Sequence, residues 1–174
     1  VRWAEAAESR QIKLIAGLAL TGSPDDARLM AIVASRRNVE VIAAATGADV
    51  NLSILRNAAA QNVSSGTLLF ADVDLYPDID LLRALSQKVD DEAPLAMAPC
   101  LYLSKRGTQS LLSGRPAESF IEDFRSFKTQ HVMHLAMPSS VMAVRAQDHN
   151  TIGGFHEGYF GHGYEDFDYM LRLM

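Results

Sequence analysis

The chain has 174 residues, 48% hydrophobic and 21% charged, with a net charge of −5. That composition belongs to a globular domain with a sizeable core and excludes a disordered polymer; an acidic chain whose basic clusters are no longer than Arg36-Arg37 or Lys105-Arg106 is also not a nucleic-acid binder. No apolar stretch reaches the ~20 residues of a membrane span, no secretion signal opens the chain, and the single Cys100 cannot form an internal disulfide.

A reducing, cytoplasmic location is therefore expected, compatible with peripheral attachment at the inner face of a membrane. One domain over residues 1–174 is expected, cut at both ends, because the chain starts at Val1 and stops at Met174 within a helical pattern.

Residues 1–11 are rich in alanine and glutamate and predict a helix whose only large side chain is Trp3. Ile12, Leu14, Ile15, Leu18 and Leu20 suit a strand buried on both faces. Thr21-Gly22-Ser23-Pro24-Asp25-Asp26 then starts a helix, with Ser23 as N-cap and Pro24 in the first position, ending at Arg36-Arg37. Residues 39–45 form the next strand, 47–51 a loop, and 52–63 a helix carrying Arg56 and Asn57 that Ser65-Gly66 terminates.

The stretch Thr67-Leu68-Leu69-Phe70-Ala71-Asp72-Val73-Asp74 is an apolar run that stops at two carboxylates. In a strand, residues i and i+2 point to one side, so Asp72 and Asp74 are expected to face a single point, where their repulsion calls for a cation. Plain strand-to-loop chemistry is the bland alternative, and Pro77 ends the strand in either case.

Residues 79–85 have helical spacing behind Asp78, and 95–103 read as a strand. Strands alternating with helices in this way predict an α/β fold with a mostly parallel central sheet and helices on both faces. Ligands of such sheets sit at the carboxyl ends of the strands, where Asp72 and Asp74 fall. Residues 104–116 have no period and read as a loop, either a lid or surface slack. In the helix expected over 118–130, Phe120, Ile121, Phe124 and Phe127 recur at helical spacing and are assigned to the core, with an acceptor platform as the alternative. His131 and His134 are read as structural or exposed rather than as ligands.

After a strand at 139–145 comes the second informative stretch, residues 152–168. Its five glycines, Gly153, Gly154, Gly158, Gly161 and Gly163, allow close backbone approach to a ligand. Phe155, Tyr159, Phe160 and Tyr164 between them offer flat apolar faces of the sort on which sugars stack. Glu165, Asp166 and Asp168 then open a terminal helix; acids in a first turn are also favoured by the helix dipole alone.

Taken together, Arg56-Asn57, Asp72-Val73-Asp74, Gly153-Gly154-Phe155 and Gly161-His162-Gly163-Tyr164-Glu165-Asp166 give the chain a resemblance, over residues 12–174, to nucleotide-sugar-dependent glycosyltransferases of the GT-A fold. Within these it is similar to the DxD-bearing galactosyltransferase and chondroitin-polymerase branch. His162 and Tyr164 stand where that branch often has Trp and Gly.

The resemblance implies a metal-dependent inverting transferase that moves a sugar from a nucleoside diphosphate, UDP foremost, to a saccharide hydroxyl in surface polysaccharide synthesis. It implies that Asp74, with Asp72, binds Mn²⁺ or Mg²⁺ and that Asp72 also contacts the ribose. Arg56 would lie near the nucleotide, and Asn51 or Asp49 near the base. Asp166 would be the general base with Glu165 beside it, and Gly153, Gly154, Phe155 and Tyr164 would line the substrate side. The alternatives are a sugar nucleotidyltransferase, for which Leu20-Thr21-Gly22-Ser23 is a poor phosphate loop, and an inactive carbohydrate-binding homologue.

Overall fold

The computed structural model describes residues 3, 4, 7, 12–36, 38–45, 50–91, 93–137, 139–160 and 163–174. Its elements, in chain order, are β1 (Leu14–Leu20), α1 (Asp25–Ala34), β2 (Val39–Ala45), α2 (Leu52–Ala60), β3 (Thr67–Ala71), α3 (Ile79–Asp91) and β4 (Leu95–Met97). There follow β5 (Cys100–Leu103), α4 (Lys105–Leu112), α5 (Ser119–Arg125), β6 (Val132–Ala136), β7 (Val141–Arg145), α6 (Ala146–Thr151) and α7 (Glu165–Leu173). Contacts divide the chain into two compact units, Val1–Ala96 with Val141–Met174, and Met97–Ser140.

In the first unit β1 and β2 run parallel, from Leu14 opposite Val39 to Leu20 opposite Ala45. A helix between two such strands is what parallel pairing requires of its crossover. β3 runs antiparallel to β7, from Thr67 opposite Arg145 to Ala71 opposite Val141, and β7 lies between β3 and β4. The mixed α/β class is as expected; the described strands form small sheets, in which β1 with β2 is parallel and β3 with β7 and β5 with β6 are antiparallel. Alternation of strands and helices does not encode the direction of β7, which re-enters after the whole 97–140 excursion. β1, expected to be buried on both faces, is half-buried along its length.

The core of this unit gathers on β7, where Met142, Ala143 and Val144 are fully buried. Helix α3 adds Leu82, Leu85 and Val89, whose spacing puts them on one face. The Asp78 carboxylate starts that helix by accepting from the Leu81 amide at 3.0 Å. At α1 Ser23 caps as expected, its Oγ accepting from the Asp25 amide at 3.2 Å with Pro24 helical behind it, and Asp26 accepts from the amides of Thr21 and Gly22 at 3.0 and 2.9 Å.

In the second unit β5 and β6 pair antiparallel, from Cys100 opposite Ala136 to Leu103 opposite Val132, with an irregularity at Tyr102 and Leu103. The single strand expected over 95–103 is therefore two, separated at Pro99, which has no amide hydrogen to offer a ladder. The loop expected at 104–116 is also corrected. Ser104 caps α4 by accepting from the Gly107 amide at 3.0 Å, and Leu111 buries itself with Phe120 and Val132. Of the aromatics assigned to the core of α5, Phe120 alone is buried, while Phe124 and Phe127 are exposed.

Asp123 is buried here among Arg115 at 2.7 Å, His131 at 3.0 Å and Lys128 at 3.5 Å. Burial would push its proton affinity up, but the hydrogen bond and charge of Arg115, with Lys128 and His131, hold it below the ordinary carboxylate value. His131 is thus structural, and His134 stacks on Tyr102 with ring centroids 4.6 Å apart.

Candidate functional site

Helix α2 carries the central side chains. Its cap is Asn51, which is buried; Oδ1 accepts from the Ile54 amide at 3.1 Å and Nδ2 donates to the Glu157 carbonyl at 2.9 Å. Asn51 is thereby taken up in joining α2 to the 155–157 segment. Asp49, its expected companion at a nucleotide base, lies outside the described residues.

Asn57 docks that segment on α2. Its Nδ2 donates to the Phe155 carbonyl at 2.8 Å and to Glu157 Oε1 at 2.9 Å, and its Oδ1 accepts from the Phe155 amide at 2.8 Å. From α7, Arg172 Nη1 donates to the carbonyls of Ile152 and Gly154 at 2.9 and 2.8 Å. The glycine-rich turn is thus held from two helices. Gly154, at φ +73°, is required there twice over: a side chain disfavours that backbone, and a Cβ would stand 2.5 Å from Asn57 Oδ1. The close approach that the glycines permit is, at Gly154, to the protein's own Asn57. Gly153 is also left-handed but faces open space.

Phe155 is corrected from a sugar-stacking surface to a core residue. It is 1% exposed, stacks on Tyr169 at 3.9 Å and meets Phe70 edge-on at 5.1 Å. Beside it the His149 ring nitrogen Nδ1 and the Tyr169 hydroxyl are hydrogen-bonded at 2.8 Å. Burial, helped by the charge of Arg172, pushes the proton affinity of His149 below its ordinary value, and burial pushes that of Tyr169 up. Both groups are neutral at pH 7. This pair went unread in the sequence, although Tyr169 lies four residues from Glu165 and so beneath it on the same helical face.

Above this layer Arg56 collects three carboxylates. Its side chain is 13% exposed, and its guanidinium lies over the Phe155 ring, 5.0 Å from the centroid. Nη1 is 2.5 Å from Asp166 Oδ1 and 3.6 Å from Glu165 Oε1, and Nη2 is 3.5 Å from Asp72 Oδ1. Glu165 and Asp166 form the first turn of α7, which Tyr164 enters in a left-handed conformation at φ +72° with its ring exposed. Glu165 is buried, and its Oε2 has no hydrogen-bond partner among the described residues.

The acidic pair after β3 is built differently from the expectation. The strand ends at Ala71, and the Leu75 amide donates to the Asp72 carbonyl at 3.3 Å, so residues 72–75 form a turn. Strand alternation therefore does not govern Asp72 and Asp74, and the premise that it points both to one side is corrected. Trp3 pins this turn by donating Nε1 to the Leu75 carbonyl at 3.1 Å. Asp74 is exposed.

One guanidinium against three carboxylates leaves the site with an excess of negative charge. Its donors are all oxygens, and one of them, Glu165 Oε2, is buried and unmet by any described residue. No cluster of three or more histidine, cysteine or acidic side chains suited to a metal exists among the described residues. A hard cation held by one or two carboxylates and by substrate phosphates does not need such a cluster. Asp72, half-exposed, and Asp74, exposed, carry hard oxygen donors of the type such a site uses.

No helix among the described residues is long and apolar enough to cross a membrane. Residues 11–174 match the model of a family described as glycosyltransferase like family 2. No curated protein matches the chain.

Proposed function

The chain belongs to the glycosyltransferase-like family 2 and is a glycosyltransferase; from that premise we propose that it is a metal-dependent inverting enzyme of GT-A type, moving a sugar from a nucleoside diphosphate to a saccharide hydroxyl. UDP is the proposed carrier, and polysaccharide synthesis the proposed setting. The observation that carries the reading is the convergence on Arg56 of a carboxylate after β3 and two at the start of α7, with Asp166 lying 110 residues from Arg56 in the chain. Such a hub supports a reading in which a donor side and an acceptor side lie next to each other.

Asp74 and Asp72 would hold the divalent cation, Mn²⁺ or Mg²⁺, which when bound offsets the charge growing on the departing diphosphate. Asp166 accepts the proton of the acceptor hydroxyl as that oxygen attacks the anomeric carbon. Glu165, 3.6 Å from Arg56, would share in holding the acceptor side beside Asp166. Attack opposite the leaving group by one activated hydroxyl inverts the anomeric centre and requires no covalent intermediate. Tyr164, exposed at the start of α7, would supply an apolar face beside these carboxylates, and the Gly153-Gly154 turn would line the substrate side.

Thermal unfolding with UDP, with and without Mn²⁺, tests the donor side. Ligand at 100 times its dissociation constant stabilises a protein by about 2.7 kcal/mol. The stabilisation is expected to require Mn²⁺ and to vanish in Asp74→Ala. Unchanged metal dependence in that variant would remove Asp74 from the metal site.

A further inference from the structure

We infer that Arg56 is a positioning residue that competes with the divalent cation for Asp72 and swings toward α7 when the cation takes that carboxylate. The inference rests on the proposed donor site and deepens it. Its starting point is the asymmetry of the guanidinium. Nη1 faces α7, with Asp166 at 2.5 Å and Glu165 at 3.6 Å, whereas Nη2 alone reaches Asp72, at 3.5 Å. The α7 carboxylates are the more enclosed, Asp166 being 18% and Glu165 5% exposed in their side chains against 41% for Asp72. Attraction across the exposed arm is screened by water, so that arm is the weaker one.

A cation at Asp72 puts a second positive charge beside a guanidinium already there. The two repel, and the arm with the weaker hold gives way. Where the guanidinium goes is set by a second, independent feature: Glu165 Oε2 is buried without a partner among the described residues. A buried carboxylate oxygen with no donor is costly, and Arg56 already stands over its sister oxygen. Turning toward α7 therefore meets an unmet acceptor as it leaves Asp72. The 5.0 Å stacking over Phe155 gives the guanidinium a flat base on which to turn. In the free protein Arg56 thus substitutes for the cation at Asp72, and once the cation is bound Arg56 is wholly committed to Glu165 and Asp166. The donor side is loaded before the acceptor carboxylates reach their working arrangement.

The test is calorimetric titration of Mn²⁺, without and then with UDP, into the wild type, Arg56→Ala, Arg56→Gln and Arg56→Lys, each checked for an intact fold by circular dichroism. Arg56→Ala is expected to bind Mn²⁺ more tightly by about fivefold, the size of one partly exposed ion pair. Arg56→Gln, which fills the same space without the charge, should tighten binding equally and serves alone if the alanine variant does not fold. Arg56→Lys keeps the charge and should stay near the wild type. Transfer should fall in the alanine and glutamine variants through kcat while the donor KM does not rise, a combination that simple damage to the site would not produce. Equal or weaker Mn²⁺ binding in folded Arg56→Ala or Arg56→Gln overturns the inference and leaves the donor site standing. A wild type that binds no Mn²⁺ even with UDP present overturns the metal-dependent reading, and this inference with it.

Discussion

Replacement of Gly154 by alanine tests how the site is suspended from α2. The added Cβ meets two obstacles. The backbone at φ +73° disfavours any side chain by about 1–2 kcal/mol. The Cβ would also stand 2.5 Å from Asn57 Oδ1, which must withdraw and so release the Phe155 amide it accepts from at 2.8 Å. That amide belongs to a buried residue, and leaving such a donor unpaired costs about 1–3 kcal/mol. Gly154→Ala should therefore destabilise the protein by about 2–5 kcal/mol.

With Asn57→Ala already in place the clash with Oδ1 is gone, leaving the backbone and a 3.3 Å approach to His149 Cε1, and Gly154→Ala should add only about 1–2 kcal/mol. Urea unfolding of the four proteins, followed by the fluorescence of the only tryptophan, Trp3, gives the cycle. Equal costs of Gly154→Ala in both backgrounds, or a cost below about 0.5 kcal/mol in the first, would refute the clamp.

The layer beneath the site yields two further expectations. Tyr169→Phe strands the buried His149 ring nitrogen and should cost about 1–3 kcal/mol in thermal or urea unfolding; a neutral substitution would show that the bond contributes nothing. His149 in the fold binds a proton less readily than in the unfolded chain, so below the ordinary histidine value of about 6.5 the unfolded chain holds more protons. Stability from this group is complete above that pH and is lost as pH falls through the folded value. The urea midpoint should drop between pH 7 and pH 5.5, and His149→Gln should lack that part of the drop. Identical slopes for the two proteins would contradict the assignment.

What the sequence discloses and what it hides divide along physical lines. Arg56, Asp72, Glu165 and Asp166 are named by their motifs, and the fold brings all four together. Their mutual relation is not legible, because an arginine near a nucleotide and an arginine among carboxylates have the same local sequence. Phe155 was assigned to a sugar because glycine-rich aromatic stretches suit one. Its burial depends on Phe70 and Tyr169, which arrive from β3 and α7 and are brought to it by tertiary packing. The helix α4 was hidden by poor helix formers, Gly107, Thr108 and Ser110. Gly107 is there because a Cβ would stand 2.0 Å from the His131 carbonyl oxygen, a contact made across the fold. The direction of β7 was equally out of reach, since strand direction is set by the path of the intervening chain. Apolar spacing did find α3 and its buried Leu82 and Leu85, where burial and local sequence agree.

The central claim is that Asp166 takes the acceptor proton on a site whose donor side is built separately, after β3. Transfer from a UDP-sugar to a saccharide acceptor, measured for the wild type and Asp166→Asn alongside Mn²⁺-dependent UDP binding to each, tests this most directly. General-base catalysis contributes about 10²–10⁴-fold, so turnover in Asp166→Asn should fall by at least that range while UDP binding is unchanged. Turnover retained within about tenfold of the wild type would contradict the account.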